Sequence, residues 1–271
     1  NKEIFDKAGV EYPSDNMTFE DFKAKCEELK NAGLPEGTYP TAVNRNSGQT
    51  TYDASVFANG GYFLSEGNEK SGWDDPKTIE AVQSWLDLVS EGLSPTLDQM
   101  ADTDPDAMFQ GGQLAMYLSG NYMIASYDKT LEGKYGIAKR PTYNGKDTDI
   151  INGLAFSVSA NTKHPEEATD FALWLGSEEA QKINGEAGVC ISARNDCQQY
   201  FVDAHEGLNC QIFLDNVANA ELLPHCKITS QLGQVEKKYL EPAWKGEVKL
   251  EDACKSVAEE QNKLLEEMNA K

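Results

Sequence analysis

Residues 104–122 constrain the fold of this chain most, because they combine a helix start, a strand and a tight turn within a short length. Asp104–Pro105 is typical of a helix start, since Asp caps free amides and Pro suits the first helical position. Gly111–Gly112 ends that helix, and Leu114–Leu118 is an apolar run of strand length. Gly120–Tyr122 then turns the chain. The pattern predicts a unit that presents an aromatic ring at the edge of a cleft.

The length and composition of the chain indicate one large or two modest globular domains. With 271 residues the chain exceeds the usual size of a single domain, and its hydrophobic content of 39% supports a buried core. No apolar run reaches the roughly 18 residues that indicate a membrane-spanning helix. Lys and Arg number 24 against 45 Asp and Glu, so the formal charge is −21. This charge argues against nucleic acid or an anionic membrane surface as a partner.

Local signals predict a chain of helices joined by short strands and polar loops. Thr18 to Asp21 has the pattern of a capping box, and Asp75–Pro76 repeats the capped helix start. The apolar residue spacing predicts helices from Thr18 to Gly33, Thr50–Ala58, from Pro76 to Gly92, Met123–Leu131, from His164 to Leu175, Ile228–Leu240 and Leu250–Met268. Short apolar runs predict strands at Tyr39–Asn44, Leu114–Leu118, Tyr135–Lys139 and Gly153–Ser159.

The motifs of the common catalytic and metal sites do not occur in the sequence. It contains no G-x-S-x-G, no G-x-x-x-x-G-K-[ST] and no H-E-x-x-H. Its three histidines, His164, His205 and His225, are scattered along the chain. Glycoside hydrolysis needs two carboxylates about 5–10 Å apart, and no spacing among the 45 acidic residues nominates such a pair. The sequence therefore predicts no catalytic site, no cofactor and no metal site.

The six cysteines leave the disulfide state open. They are Cys26, Cys190, Cys197, Cys210, Cys226 and Cys254. None forms a C-x-x-C pair, which argues against a structural zinc site. An even number in a secreted protein permits disulfides, and Cys190 with Cys197 is the most local pair if one bridge exists. Alternatively, several of them are buried, reduced, small apolar side chains.

The helix–strand–turn unit resembles a segment of extracellular solute-binding proteins that serve ABC importers, most closely the sugar-binding, maltose-binding-protein-like family. The family pattern F-x-x-G-x-x-A-M-x-x-x-G-x-W is matched by Phe109, Gly112, Ala115–Met116, Gly120 and Tyr122. Here Tyr replaces the final Trp. The opening stretch 1–19, the stretch Ser157–Gln181 and the start of the last helix, Leu250–Cys254, resemble further family segments.

The resemblance implies an α/β fold of the periplasmic-binding-protein-like type II class, with two lobes. The opening segment is internal in the family, so we expect a complete C-terminal lobe but only part of the N-terminal lobe. We expect residues 1–149 to form the first part of the C-terminal lobe, 150–200 to be a segment of the N-terminal lobe, and 201–271 to complete the C-terminal lobe with helices. The predicted crossovers lie near Ile150–Gly153 and near Ala193–Tyr200.

The resemblance also nominates ligand-binding residues. In the family the aromatic side chain after the second glycine stacks on a sugar ring, which implies that role for Tyr122, with Asn121 beside it. The polar loop after the predicted strand Tyr39–Asn44 carries ligand contacts in the family, which are Arg45, Asn46, Gln49 and Tyr52 in this sequence. The alternative is an ordinary solvated loop, because loops are generally polar.

The function implied is that of the substrate-binding component of an ABC importer and not of an enzyme. Such a protein captures a sugar or oligosaccharide by hinge closure and delivers it to the membrane permease. We expect an extracellular or periplasmic protein that is lipid-anchored and monomeric when full length. The alternatives are a binding protein for a phosphodiester, polyamine or metal chelate, and a secreted carbohydrate-active enzyme. Arg45 and Arg194 would serve an anionic ligand, and Asp53 would serve a polyamine.

Overall fold

The computed structural model describes residues 1–45 and 47–270. The described chain folds into two units. Unit 1 comprises Asn1–Leu118, Ala138–Ile150 and the chain from Asn219 on, and unit 2 comprises Ser119–Ile137 and Ile151–Ala218. The predicted lobe boundaries at residues 149/150 and 200/201 stay a prediction.

Helices dominate both units. In unit 1 they are α1 Lys2–Ala8, α2 Phe19–Asn31, α3 Asp53–Asn59, α4 Pro76–Ser90, α5 Pro105–Gln110, α11 Thr229–Trp244 and α12 Leu250–Asn269. In unit 2 they are α6 Ile124–Leu131, α7 Pro165–Leu175, α8 Glu178–Glu186, α9 Gln198–Ala204 and α10 Gln211–Asp215. Single turns of 3-10 helix lie at Gly48–Thr50, Glu66–Asn68, Asn121–Met123, Asn195–Cys197 and Val217–Asn219.

The predicted starts of α2, α4 and α5 are confirmed, and each has a capping side chain. The Thr18 hydroxyl accepts from the amide of Asp21, and the Asp21 carboxylate accepts from the amide of Thr18, which completes the capping box of α2. Asp75 caps α4 and Asp104 caps α5, each followed by proline at the first helical position. These starts depend on neighbouring residues alone, which explains why the sequence predicts them.

The core of unit 1 lies among α2, α3, α4, α11 and α12. The indole ring of Trp85 is buried against Phe19 and Phe22, and its Nε1 donates to the Ser55 hydroxyl at 2.9 Å. Trp73 is also buried, and its Nε1 donates to the Glu236 carboxylate at 3.1 Å. Both indole N–H groups therefore find an acceptor inside the core, as buried polar groups generally must.

Unit 2 combines a buried apolar cluster with many exposed apolar side chains. A buried cluster of this unit contains Ile124, Phe201 and Cys210. By contrast, Leu154 is 98% exposed, and Phe156 is also exposed. Exposed apolar side chains continue on α7 and α8, at Phe171, Leu173, Trp174 and Ile183. Groups of exposed apolar side chains are typical of surfaces that contact a ligand or another protein segment.

The prediction of continuous strands is wrong for the described residues. The named strands are the short pair β1 Asp149–Ile151 and β2 Ala220–Leu222. Tyr39–Asn44 and Leu114–Leu118 form a single parallel bridge, between Tyr39 and Leu114. Pro40 follows that bridge and has no amide hydrogen to extend the ladder. Tyr135–Lys139 and Gly153–Ser159 form no strand, since a strand needs a neighbouring strand for its backbone hydrogen bonds.

The disulfide state that the sequence left open is resolved in the structure, where all six cysteines are free and the conditional pair Cys190 and Cys197 is not bonded. Cys197 is buried, and its thiol lies 3.8 Å from the carbonyl oxygen of Glu178. The thiol of Cys190 instead accepts from the Asn184 side-chain amide at 3.0 Å. The two cysteines are close in sequence but have different partners, which agrees with the alternative that the cysteines are reduced side chains.

Residues 1–45 and 47–270 contain neither a membrane-spanning helix nor a cluster of metal-binding side chains. Every helix in these ranges is too short or too polar to span a lipid bilayer. The same residues contain no group of three or more His, Cys, Asp or Glu side chains that could hold a metal ion.

Candidate ligand-binding site

Tyr122 presents its ring on the surface of unit 2. The chain runs from Gly120 into the 3-10 turn Asn121–Met123, which leads directly into α6. The Tyr122 side chain is 55% exposed, whereas Ile124, two residues on, is buried in the core of unit 2. The buried residue therefore anchors the turn while the tyrosine ring stays accessible. Asn121 lies in the same turn and is half-buried.

Gly120 is required by the position of the Tyr122 ring. A Cβ atom added to Gly120 would lie 2.2 Å from Cε1 and 2.7 Å from Cδ1 of Tyr122. Real Cβ atoms do not approach other atoms so closely, so any side chain at Gly120 would displace the ring. The second glycine of the sequence pattern thus has a physical reason, which is the close approach of the aromatic ring to the backbone.

The candidate binding loop comprises residues 45–52 in unit 1. Gln49 lies in the 3-10 turn Gly48–Thr50 and is half-buried. The amide of Thr50 donates to the carbonyl of Ser47, and the amide of Thr51 donates to the carbonyl of Gly48. These bonds define the backbone of residues 47–51. The predicted contact Asn46 lies outside the described residues.

Tyr52 is a core residue of unit 1. Its side chain is 6% exposed, its ring stacks on that of Trp244 at 6.0 Å between centroids, and it meets Trp73 edge to face at 6.3 Å. Burial raises the pKa of the Tyr52 hydroxyl well above its usual range. A ligand contact through this ring is not favoured by its burial, and the predicted role of Tyr52 stays a prediction.

Arg45 forms an ion pair within unit 1. Its Nη1 lies 3.2 Å from Oε2 of Glu241 on α11, and its side chain is 15% exposed. Lys245 lies 3.3 Å from the other carboxylate oxygen of Glu241. The hydrogen bond from Lys245, followed by the charge of Arg45, holds the pKa of Glu241 below its usual range. Arg45 therefore fastens the start of the loop to α11.

Asp53 follows the loop and begins α3 as a buried acid. Its side chain is 7% exposed, and burial raises its pKa from 3.8 to about 7. The Glu236 carboxylate raises this pKa further, while the charge of Arg140 lowers it. Glu236 is itself held by the side-chain amide of Gln261 at 2.9 Å and by Trp73. Close packing against Gly48, where an added Cβ would fall 2.3 Å from Oδ1 of Asp53, fixes the carboxyl group.

Arg140 is a loop contact that the sequence did not nominate. Its guanidinium donates to the backbone carbonyls of Thr51 and Gln49, at 2.9 and 3.0 Å. These partners lie 89 and 91 residues away in the sequence, so no local pattern could have indicated them. The predicted site residues thus form two groups. Arg45, Gln49 and Tyr52 lie in unit 1, and Asn121 and Tyr122 lie in unit 2.

A sequence model of one protein family matches residues 1–182 of the chain. That family is described as bacterial extracellular solute-binding protein. A relative from Brucella abortus (strain 2308), provisionally named a binding protein, is 22% identical over 213 residues. The match covers 75% of this chain and 50% of the relative, so the chain spans about half the length of that relative.

Two solved structures show the fold of the chain. An ABC substrate-binding protein of Listeria monocytogenes, solved in complex with cycloalternan, matches with a TM-score of 0.82 and 21% identity. The match covers 98% of this chain and 68% of that protein. An ABC transporter solute-binding protein of Thermotoga lettingae, bound with α-D-tagatose, matches with a TM-score of 0.82 and 23% identity, over 98% of this chain and 69% of that protein. The predicted periplasmic-binding-protein-like fold is confirmed.

Proposed function

The chain belongs to the bacterial extracellular solute-binding protein family, and we propose that the complete protein captures an extracellular sugar or oligosaccharide for an ABC importer. The exposed ring of Tyr122, held over Gly120, is the observation that carries this proposal. A sugar has an apolar ring face and a rim of hydroxyl groups, so it suits a site that combines an aromatic surface with polar side chains. The solved relatives with cycloalternan and α-D-tagatose support a carbohydrate as the ligand class.

In the proposed mechanism Tyr122 stacks on the sugar ring, and polar side chains bond its hydroxyl groups. Asn121 is adjacent to Tyr122 and half-buried, and it is proposed to supply such a bond. Asn46 and Gln49 stay nominated as further contacts by the family resemblance alone. Arg45 and Tyr52 are proposed to stabilise the loop. Arg45 does so through its ion pair with Glu241, and Tyr52 through its burial in the core of unit 1. Two lobes then close about a hinge and retain the ligand until the permease receives it.

The surroundings of Arg45, Arg194 and Asp53 favour a sugar over a charged solute as the ligand. An anionic ligand would need free cations, but Arg45 is paired with Glu241, and Arg194 lies 2.6 Å from Asp196. A polyamine would need an accessible carboxylate, but Asp53 is buried and binds its proton up to about pH 7. Within residues 1–45 and 47–270, the groups nominated for these alternatives are thus already engaged or inaccessible.

The complete protein is proposed to be a monomeric, lipid-anchored, extracellular binding protein that works with ABC permease subunits and catalyses no reaction. Residues 150–200 are proposed to belong to its N-terminal lobe, with 1–149 and 201–271 in the C-terminal lobe. The exposed side chains of Leu154, Phe156 and Trp174 support this assignment, because the remainder of a lobe would cover them.

A thermal-shift screen of the full-length protein against maltose, cycloalternan, α-D-tagatose, spermidine and glycerol phosphodiesters tests the proposed function. A ligand that binds only the folded state raises the unfolding midpoint by mass action. We expect at least one sugar to raise the midpoint and the spermidine and phosphodiester arms to leave it unchanged. A shift with spermidine or a phosphodiester, and with none of the sugars, would refute the sugar assignment.

A further inference from the structure

The guanidinium group of Arg140 holds the backbone of the candidate binding loop. Nη1 donates to the carbonyl oxygen of Thr51 at 2.9 Å, and Nη2 donates to that of Gln49 at 3.0 Å. The Arg140 side chain is only 13% exposed, so these charge-assisted bonds are shielded from water. The two carbonyls flank Thr50, so Arg140 fixes the 3-10 turn Gly48–Thr50 at its C-terminal side.

The remaining nitrogen of the same guanidinium group contacts β1. Nε of Arg140 lies 3.3 Å from Oδ1 of Asp149, which is the first residue of that strand. The chain leaves unit 1 just after Ile150. A single planar side chain therefore links the loop to the strand through which the chain leaves its unit.

We propose that Arg140 is a positioning residue that fixes the candidate binding loop and makes its conformation depend on β1 through Asp149. That the loop binds sugar rests on the function proposed above, whereas the positioning role rests on the contacts of Arg140 alone. Because the carbonyl of Gln49 is held, its side chain is directed from a fixed backbone. A movement of Asp149 on β1 displaces the guanidinium and hence the loop.

Lysine cannot replace arginine in this role. The guanidinium is a rigid plane whose donors point in fixed directions, and here all three of its nitrogens have a partner. The lysine ammonium is a single point of charge on a flexible stem, so it cannot reproduce both carbonyl contacts and the contact with Asp149. Arg140→Lys therefore keeps the charge near Asp53 but releases the loop.

Amide hydrogen exchange of the full-length protein without ligand measures the positioning role directly. The variants are Arg140→Lys, Asp149→Asn and their combination. Arg194→Lys is the matched control, because Arg194 pairs with the exposed Asp196 in unit 2. The reporters are the amides of Thr50 and Thr51, which are bonded within the loop, and a peptide from α12 reports on the rest of unit 1.

We expect exchange at Thr50 and Thr51 to accelerate about tenfold in Arg140→Lys and to accelerate in Asp149→Asn, with no change in α12 or in Arg194→Lys. The double variant should match Arg140→Lys, since Asp149 acts through Arg140. Unchanged loop exchange in Arg140→Lys, or equal acceleration in α12, would overturn the positioning role. Unchanged loop exchange in Asp149→Asn would overturn the dependence on β1.

Sugar affinity provides a second measurement on the same variants, with the sugar that gives the largest thermal shift. Arg140→Lys should weaken its binding about tenfold, and Arg194→Lys should leave it unchanged. Accelerated loop exchange with unchanged affinity would overturn the link between loop position and binding. If no sugar in the screen binds the wild-type protein, the proposed function fails, while hydrogen exchange still decides the role of Arg140.

Discussion

The ring of Tyr122 packs over Gly120 so closely that a Cβ atom on the glycine would lie 2.2 Å from Cε1 of the tyrosine. The glycine thus sets the orientation of the exposed aromatic ring on which the proposed function rests. Its φ of −112° is open to other residues, so the requirement for glycine comes from the ring contact and not from backbone strain.

Gly120→Ala should therefore impair binding without unfolding the protein. The added methyl group displaces the Tyr122 ring, and we expect sugar affinity to fall about tenfold, or about 1.4 kcal/mol. Isothermal titration calorimetry measures this change. Gly233→Ala on α11 is the control, because an added Cβ there meets nothing within 4 Å. Equal affinities of Gly120→Ala and Gly233→Ala would contradict the role assigned to Gly120.

Asp53→Asn should remove a pH dependence of stability. Because burial raises the pKa of Asp53 from 3.8 to about 7, the folded state holds this proton more tightly than the unfolded state. Its contribution is full below about pH 4 and is lost as pH rises toward and through 7. We expect Asp53→Asn to raise the free energy of unfolding at pH 8 by roughly 2–4 kcal/mol, with little change at pH 4.

Urea unfolding between pH 4 and pH 8 measures this dependence. Asp170→Asn, at an exposed aspartate of α7, is the control and should follow the wild-type profile. An Asp53→Asn variant with the same slope between pH 4 and pH 7 as the wild-type protein would show that Asp53 is ionised in the fold.

The cysteines should react as two accessible and four protected thiols. Cys190 and Cys226 are half-buried, and the other four are buried. Burial also raises the pKa of Cys210 to about 11 and that of Cys254 to about 12, which lowers the fraction of reactive thiolate. Iodoacetamide at pH 8 should modify Cys190 and Cys226 in the native protein and all six cysteines after denaturation without reductant. Two cysteines that resist modification in the denatured protein would reveal a disulfide.

Local signals in the sequence predicted local structure. The starts of α2, α4 and α5 follow from a capping side chain and its next few residues. Strands were not predictable in this way, because Gly153–Ser159 has the composition of a strand but no neighbouring strand in the part of the chain that the structure describes. A strand is a property of two segments, and the sequence of one segment cannot establish it.

The candidate site was predictable only in part for the same reason. The family pattern indicated Tyr122, and the structure supplies the physical reason for Gly120 beside it. The sequence could not reveal that Tyr52 stacks on Trp244, which lies far along the chain on α11. The sequence did not indicate Arg140, because its partners are backbone carbonyls far away in the sequence. Every residue has such a carbonyl, so the residue types do not reveal these contacts.

Calorimetry of the full-length protein with the sugar selected by the thermal-shift screen tests the central claim most directly. Tyr122→Ala removes the exposed ring, and we expect binding to weaken by about 1–3 kcal/mol, the usual contribution of one aromatic anchor. Tyr122→Phe keeps the ring and should retain most of the affinity. Unchanged affinity in Tyr122→Ala would contradict the account.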